Sequence, residues 1–185
     1  MAALLLLPVR GMAATMPPAD IPRELLQTLK QTLASDHGFR DHYAAEVWLM
    51  DMQHRLSDFL PETQQRLKLL ELLRRQAWRT QLDPQLILAL IQVESRFDAE
   101  AVSTAGARGL MQVMPFWKRE IGRPGDDLSD PATNLRYGCT ILAWYLQDEH
   151  HDLTRALARY NGSLGRTDYP ERVMQAWTSR WWLER

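Results

Sequence analysis

The stretch "DPQLILALIQVES", residues 83–95, constrains this chain more than any other. Asp83 can N-cap a helix and Pro84 fits its first turn, where a missing N–H costs nothing. The residues after Pro84 are almost wholly apolar, and a helix apolar around most of its surface belongs inside a core. Positions 87, 90, 91 and 94 share one face. A carboxylate, Glu94, therefore ends the stripe begun by Ile87, Leu90 and Ile91. Such a charge is costly unless it is paired, neutralised or used.

The segments on either side are helical too. "RELLQTLKQTLA" follows Asp20 and Pro22, "FRDHYAAEVWLMDMQHRLSDFL" brings Phe39, Tyr43, Val47, Met50 and His54 near one face, and Pro61 restarts a helix in "ETQQRLKLLELLRRQAW". "DAEAVSTAGARG" reads as a loop and "LMQVMPFWKREIG" as a short helix. Asp130 caps "PATNLRYGCTILAWYLQDEH", Asp152 caps "LTRALARYN", which stops at Asn161-Gly162, and a last helix begins at Pro170. No segment shows strand alternation, so the fold class is all-α. Three parts are expected: a truncated leader over 1–19, an N-terminal helical extension over 20–80, and the main domain over 81–185. The leader rests on the apolar run Leu4 to Val9 and the small residues Ala13 and Ala14, and a basic start is missing.

Composition excludes several classes of function. The 185 residues, 45% hydrophobic and 24% charged, suffice for a core without staples. The formal charge of −1 offers no basic field for nucleic acid. Cys139 is the only cysteine, and the five histidines show no metal-ligand spacing, so neither a metal nor a cofactor is expected. Four of the seven tryptophans, Trp117, Trp177, Trp181 and Trp182, could stack on sugar faces, although such rings more often pack a core. The basic amphipathic "RLKLLELLRRQAW" could touch a membrane surface or an envelope machine. Packing is the commoner use of such a stripe.

Glu94 by itself supports two readings. It could point into water or pair with Arg96 or Arg108. It could instead be a general acid, its proton held near neutral pH by apolar surroundings. Three motifs bear on the choice: Glu94-Ser95 at a helix end, Gly109-Leu110-Met111-Gln112 with Met114-Pro115, and Ala158-Arg159-Tyr160-Asn161 before a glycine. In this order and spacing, over roughly 80–175, they resemble the lytic transglycosylase domain of the soluble, Slt-type enzymes, a lysozyme-like fold acting on peptidoglycan.

The resemblance implies that Glu94 acts as acid and then as base on the β-1,4 bond between N-acetylmuramic acid and N-acetylglucosamine. The sugar's own 6-hydroxyl would attack, leaving a 1,6-anhydromuramoyl end. It implies substrate contacts for Ser103, Gln112, Met114, Tyr160 and Asn161, with the Tyr160 hydroxyl near the carboxylate and Gly109 letting the backbone pass close by. Peptidoglycan as partner implies export, with the periplasm as location. A further glutamate that some members carry after the Tyr-Asn motif has no clear equivalent in "GRTDYPERV", where Asp168 and Glu171 stand. Two rivals remain open. One is a goose-type, lysozyme-like hydrolase using a water held by Asp98, Asp126 or Asp127. The other is a catalytically silent glycan-binding or assembly protein.

Overall fold

A computed structural model describes residues 42–183. The expected leader and the helix expected after Asp20 lie outside them. The described residues form α1 (His42–Arg55), which runs into a 3-10 turn (Leu56–Asp58), then α2 (Thr63–Thr80), α3 (Pro84–Glu94) and the short α4 (Trp117–Ile121). After these come α5 (Pro131–Asp148), α6 (Leu153–Asn161) and α7 (Asp168–Ala176), which continues as a single π turn (Trp177–Trp181). The only extended pairing among them is two isolated bridges, Val102 to Arg108 and Arg108 to Val113. The all-α class is the one the chain adopts.

Helix starts follow the local chemistry. Asp83, Asp130 and Asp152 each accept a backbone N–H of the first turn, from Gln85 (2.7 Å), Thr133 (2.8 Å) and Arg155 (3.0 Å). Each bond satisfies a donor that the helix itself cannot. α6 ends at Gly162, whose φ of 73° is the left-handed cap that glycine adopts without penalty.

α3 is the central element. Every residue from Leu86 to Ile91 is buried, as its composition demands. α2, α7 and the π turn pack around it, while α5 lies against α2 and α6, and α6 against α7. One apolar cluster runs without a break from Trp48 to Trp181, and α2 supplies Leu69, Leu70, Leu73 and Ala77 to it. The apolar stripe of the basic helix is thus turned inward. Its buried Arg74 lies 5.7 Å over the Trp48 ring.

The π turn clasps the far side of α3. Trp181 is fully buried against Phe59 and Phe97, with ring centroids 6.1 and 5.6 Å away. Its indole N–H donates to Gln92 Oε1 at 2.8 Å, and the Leu183 N–H donates to Gln85 Oε1 at 2.8 Å. Gln85 and Gln92, the polar residues of α3 before Glu94, hold the C-terminal segment. Of the four tryptophans considered for sugar stacking, Trp117 and Trp181 are buried, whereas Trp182 is exposed and pairs edge-on with Trp177.

One element differs from expectation. The short helix foreseen over 110–122 is helical only from Trp117 to Ile121. Residues 109–113 instead make a tight turn, with Gly109 at φ 71° and Gln112 at φ 49°. Left-handed backbone at both positions is incompatible with a continuous right-handed helix. Beneath this turn lies Cys139, fully buried, its Sγ 3.8 Å from Met111 Sδ. Burial pushes its thiol pKa far up, so the group stays protonated.

Candidate active site

The site begins where α3 stops. Ser95 Oγ donates to the Leu110 carbonyl at 2.8 Å, tying the end of the helix to the 109–113 turn. Arg96 and Phe97 then adopt left-handed backbone, at φ 52° and 69°. Such geometry is strained for side chains of this size and persists only where the surroundings enforce it. Phe97 is buried between Phe59 and Trp181, and that packing holds the strain. The chain therefore turns sharply away just past Glu94 and leaves the carboxyl group facing a cleft.

The turn opposite is fixed from below by Asn134, a fully buried residue of α5. Its Oδ1 accepts the Met111 N–H, and its Nδ2 donates to the carbonyls of Arg108 and Leu128, all at 2.8 Å. Gly109 is what allows this approach. A Cβ there would lie 2.4 Å from both Asn134 Nδ2 and the Leu128 carbonyl. The close passage expected beside the glutamate or the sugar is thus made against Asn134 and Leu128. Gln112 donates both amide hydrogens inward, to the carbonyls of Ala101 (3.1 Å) and Gly109 (3.0 Å). It offers the cleft its amide oxygen, an acceptor.

Glu94, Gln112, Met114, Tyr160 and Asn161 line one cleft, together with Phe116, Trp117, Ile141 and Tyr145. The Tyr160 hydroxyl donates to the Met111 carbonyl at 2.8 Å. It is Tyr169, on α7, whose hydroxyl donates to Glu94 Oε1, at 2.5 Å. Glu94 keeps some contact with solvent, but the apolar and aromatic groups packed around it exclude most water. Burial raises its pKa to about 7, against the opposing pull of the Tyr169 hydrogen bond and the Arg172 charge. Tyr160 and Tyr169 are held well above the usual phenol value by burial and by the neighbouring Glu94, so both remain donors.

These features sit within the stretch over which the chain matches a known family. Residues 71–176 match the Transglycosylase SLT domain. The chain belongs to this family. It is similar to the membrane-bound lytic murein transglycosylase C of Haemophilus influenzae (strain PittGG), 40% identical over 46% of this chain and 26% of that protein. The namesake from Actinobacillus pleuropneumoniae serotype 5b is 42% identical over 71% of this chain and 36% of its own length. Among solved structures, an inactive mutant of the lytic transglycosylase Slt from Pseudomonas aeruginosa is 32% identical over 56% of this chain and 17% of that one, with a TM-score of 0.45. The chain spans about a quarter of the length of the first curated relatives it matches (26%).

For this SLT domain the site residues foreseen from sequence divide in two. Glu94, Gln112, Met114, Tyr160 and Asn161 come together in the cleft. Ser103 does not line it. Its Oγ accepts the Ala107 N–H at 3.0 Å within its own loop. Three contributors were not foreseen in these roles: Tyr169 as the donor to Glu94, Ser95 as the tie to the turn, and Asn134 beneath it. Tyr169 lies in "GRTDYPERV", a stretch whose residue pattern announces no role. Among the described residues no group of three histidine, cysteine, aspartate or glutamate side chains could hold a metal. The arrangement can deliver one proton from a carboxyl group and take one back. Beside it stand an amide acceptor and aromatic walls shaped for a polar ligand with apolar faces.

Proposed function

We propose that this domain is a peptidoglycan lytic transglycosylase that cleaves the β-1,4 bond between N-acetylmuramic acid and N-acetylglucosamine without water. The observation that carries the reading is Glu94, hydrogen-bonded by Tyr169 in a cleft whose lining includes no other carboxylate, with its pKa raised by burial to about 7. Oε1 accepts from Tyr169, which leaves Oε2 as the oxygen to carry and deliver the proton. Glu94 gives it to the glycosidic oxygen as the C1–O bond breaks. The Tyr169 hydrogen bond then stabilises the carboxylate that is left. Positive charge at C1 is met by the substrate's own N-acetyl carbonyl. The muramoyl 6-hydroxyl attacks C1 and surrenders its proton to Glu94, which returns to its starting state. No water is consumed and one carboxyl group suffices, unlike the usual pair.

The hydrolytic alternative needs a second group to hold water, and the three aspartates considered for it are engaged elsewhere. Asp98 accepts the Glu100 N–H (2.9 Å), Asp126 the Tyr137 hydroxyl (2.6 Å), and Asp127 the Ser129 N–H (2.9 Å). The substrate lies outside the cytoplasmic membrane, which makes the periplasm the site of action. No helix among the described residues is long and apolar enough to cross a membrane.

The test is mass spectrometry of muropeptides released from purified sacculi, wild type beside Glu94→Gln. Products lighter by one water than reducing-end sugars, and missing with the mutant, are expected. Reducing-end products would make the protein a hydrolase. No products from wild type would favour the silent binder.

A further inference from the structure

The stretch "GRTDYPERV" does more than bring Tyr169 to Glu94. Arg172 stands one turn after Tyr169 on α7, and residues three apart on a helix are neighbours. Its guanidinium carbon lies 5.8 Å from the centre of the Tyr169 ring, within reach of a cation–π contact. The hydroxyl at the far end of that ring is 2.5 Å from Glu94 Oε1. Arg172 is exposed. Asp168 stands four residues before it, where a helix would ordinarily pair the two. Asp168 is held instead by Arg166, Nε to Oδ1 and Nη2 to Oδ2, both at 3.1 Å. Among the described residues no carboxylate, the neighbouring Glu171 included, lies within ion-pair distance of Arg172. The charges of Arg166 and Asp168 offset one another, and that of Arg172 is left for Tyr169 and Glu94.

We infer that Arg172 is a positioning residue of the site: laid on the Tyr169 ring and left without an acidic partner, it steadies that tyrosine and favours the carboxylate form of Glu94. The inference rests on the lyase reading for the step it assists. Before that step Glu94 is neutral and gains little from a nearby cation. Once the proton has passed to the glycosidic oxygen, a carboxylate faces Arg172 and is attracted to it. The attraction thus grows along the proton transfer, and only interactions that strengthen on the way to the transition state raise the rate. Among the described residues, the groups that face Glu94 are the Tyr169 hydroxyl and the Arg172 charge from α7 and the Tyr160 hydroxyl from α6, with Tyr145 of α5 along the same cleft. α2 and the π turn, which also pack on α3, bring no charge to it. Arg172 does not line the cleft, so it acts on the acid and not on the sugar.

The experiment titrates Glu94 in the full chain without substrate, by NMR of carbon-labelled glutamate carboxyls, with the Glu94 signal assigned by its loss in Glu94→Gln. Arg172→Gln should raise the midpoint by about 0.5 pH unit, the size expected of one exposed charge. The difference from wild type should shrink as salt is raised, because exposed charges are screened. Arg172→Lys keeps the charge and should hold the midpoint near that of wild type. Arg166→Gln, which frees Asp168 to capture Arg172, should shift it in the same direction as Arg172→Gln and lose that effect when Asp168→Asn is added. On glycan strands, Arg172→Gln should lower kcat about threefold and leave KM unchanged, with the descending limb of its pH–rate profile displaced upward. A midpoint that stays in place in Arg172→Gln, or moves as far in Arg172→Lys, would overturn the inference. So would a rise in KM with kcat intact. A wild type that releases no anhydro products, but whose Glu94 still answers to Arg172, would sink the lyase reading and leave the link between the two residues standing.

Discussion

Glu94 is in tension with the fold that holds it. Its pKa rises from an ordinary 4.5 to about 7 on folding, so the folded state prefers the neutral form. A raised carboxyl pKa contributes stability that is complete below about 4.5 and is lost as pH climbs through about 7. Glu94→Gln removes the penalty. Relative to wild type it should gain little near pH 5 and about 2–3 kcal/mol at pH 8, read by urea denaturation at the two pH values. The same proton governs catalysis, so activity should fall as pH rises through about 7. Tyr169→Phe takes away a donor that favours the charged form. Its descending limb should therefore move to higher pH and its maximal rate should drop, as a pH–rate profile would register. The glutamate was legible in sequence because three motifs, Glu94-Ser95, Gly109-Leu110-Met111-Gln112 and Ala158-Arg159-Tyr160-Asn161, follow in order, where its helix alone left two readings. Its partner was not, since Tyr169 lies 75 residues downstream and only the packing of α7 on α3 brings it near.

At the scale of elements, what was legible was whatever short-range chemistry decides. The Asp-Pro starts of α3 and α5, the Asp152 cap and the Gly162 stop each involve groups a few residues apart. The 109–113 turn is decided differently. Its apolar residues have helical spacing, but Gly109 and Gln112 are held left-handed by bonds to Ala101 and by Asn134, which reaches up from α5. Asn134 is a single polar residue in a buried helix face, a pattern that hints at a tether without naming its other end. Asn134→Ala would strand the Met111 N–H and the Leu128 carbonyl, whereas the Arg108 carbonyl keeps the Val113 N–H. The substitution should cost about 2–4 kcal/mol, measured by thermal or urea melts, and should lower kcat more than it raises KM, because the turn positions Gln112. Asn134→Asp keeps the acceptor for Met111 but sets an oxygen against two carbonyls. It should be no better than alanine at neutral pH and should improve in acid.

At the scale of the whole molecule, one apolar cluster joins the helices of the described residues. α2 shares the cluster that α3 and α5 bury, and the SLT match itself begins within α2, at residue 71. A chain beginning at residue 81 would expose the surfaces that Leu69, Leu70, Leu73 and Ala77 now cover. Each buried leucine contributes about 1.5–3 kcal/mol, and domains hold only about 5–15 kcal/mol in reserve. The truncated chain should lack a sigmoidal melting transition, whereas the full chain should show a single one by circular dichroism. A boundary drawn where sequence texture changes, near residue 80, follows motif density, and packing need not respect it. The core also sets a clock. Cys139, the only cysteine, lies sealed beneath the turn that carries Gln112. A thiol reagent can reach it only when the packing around it opens. The rate at which such a reagent marks the native protein therefore times that opening, with no second sulfhydryl to confuse the count.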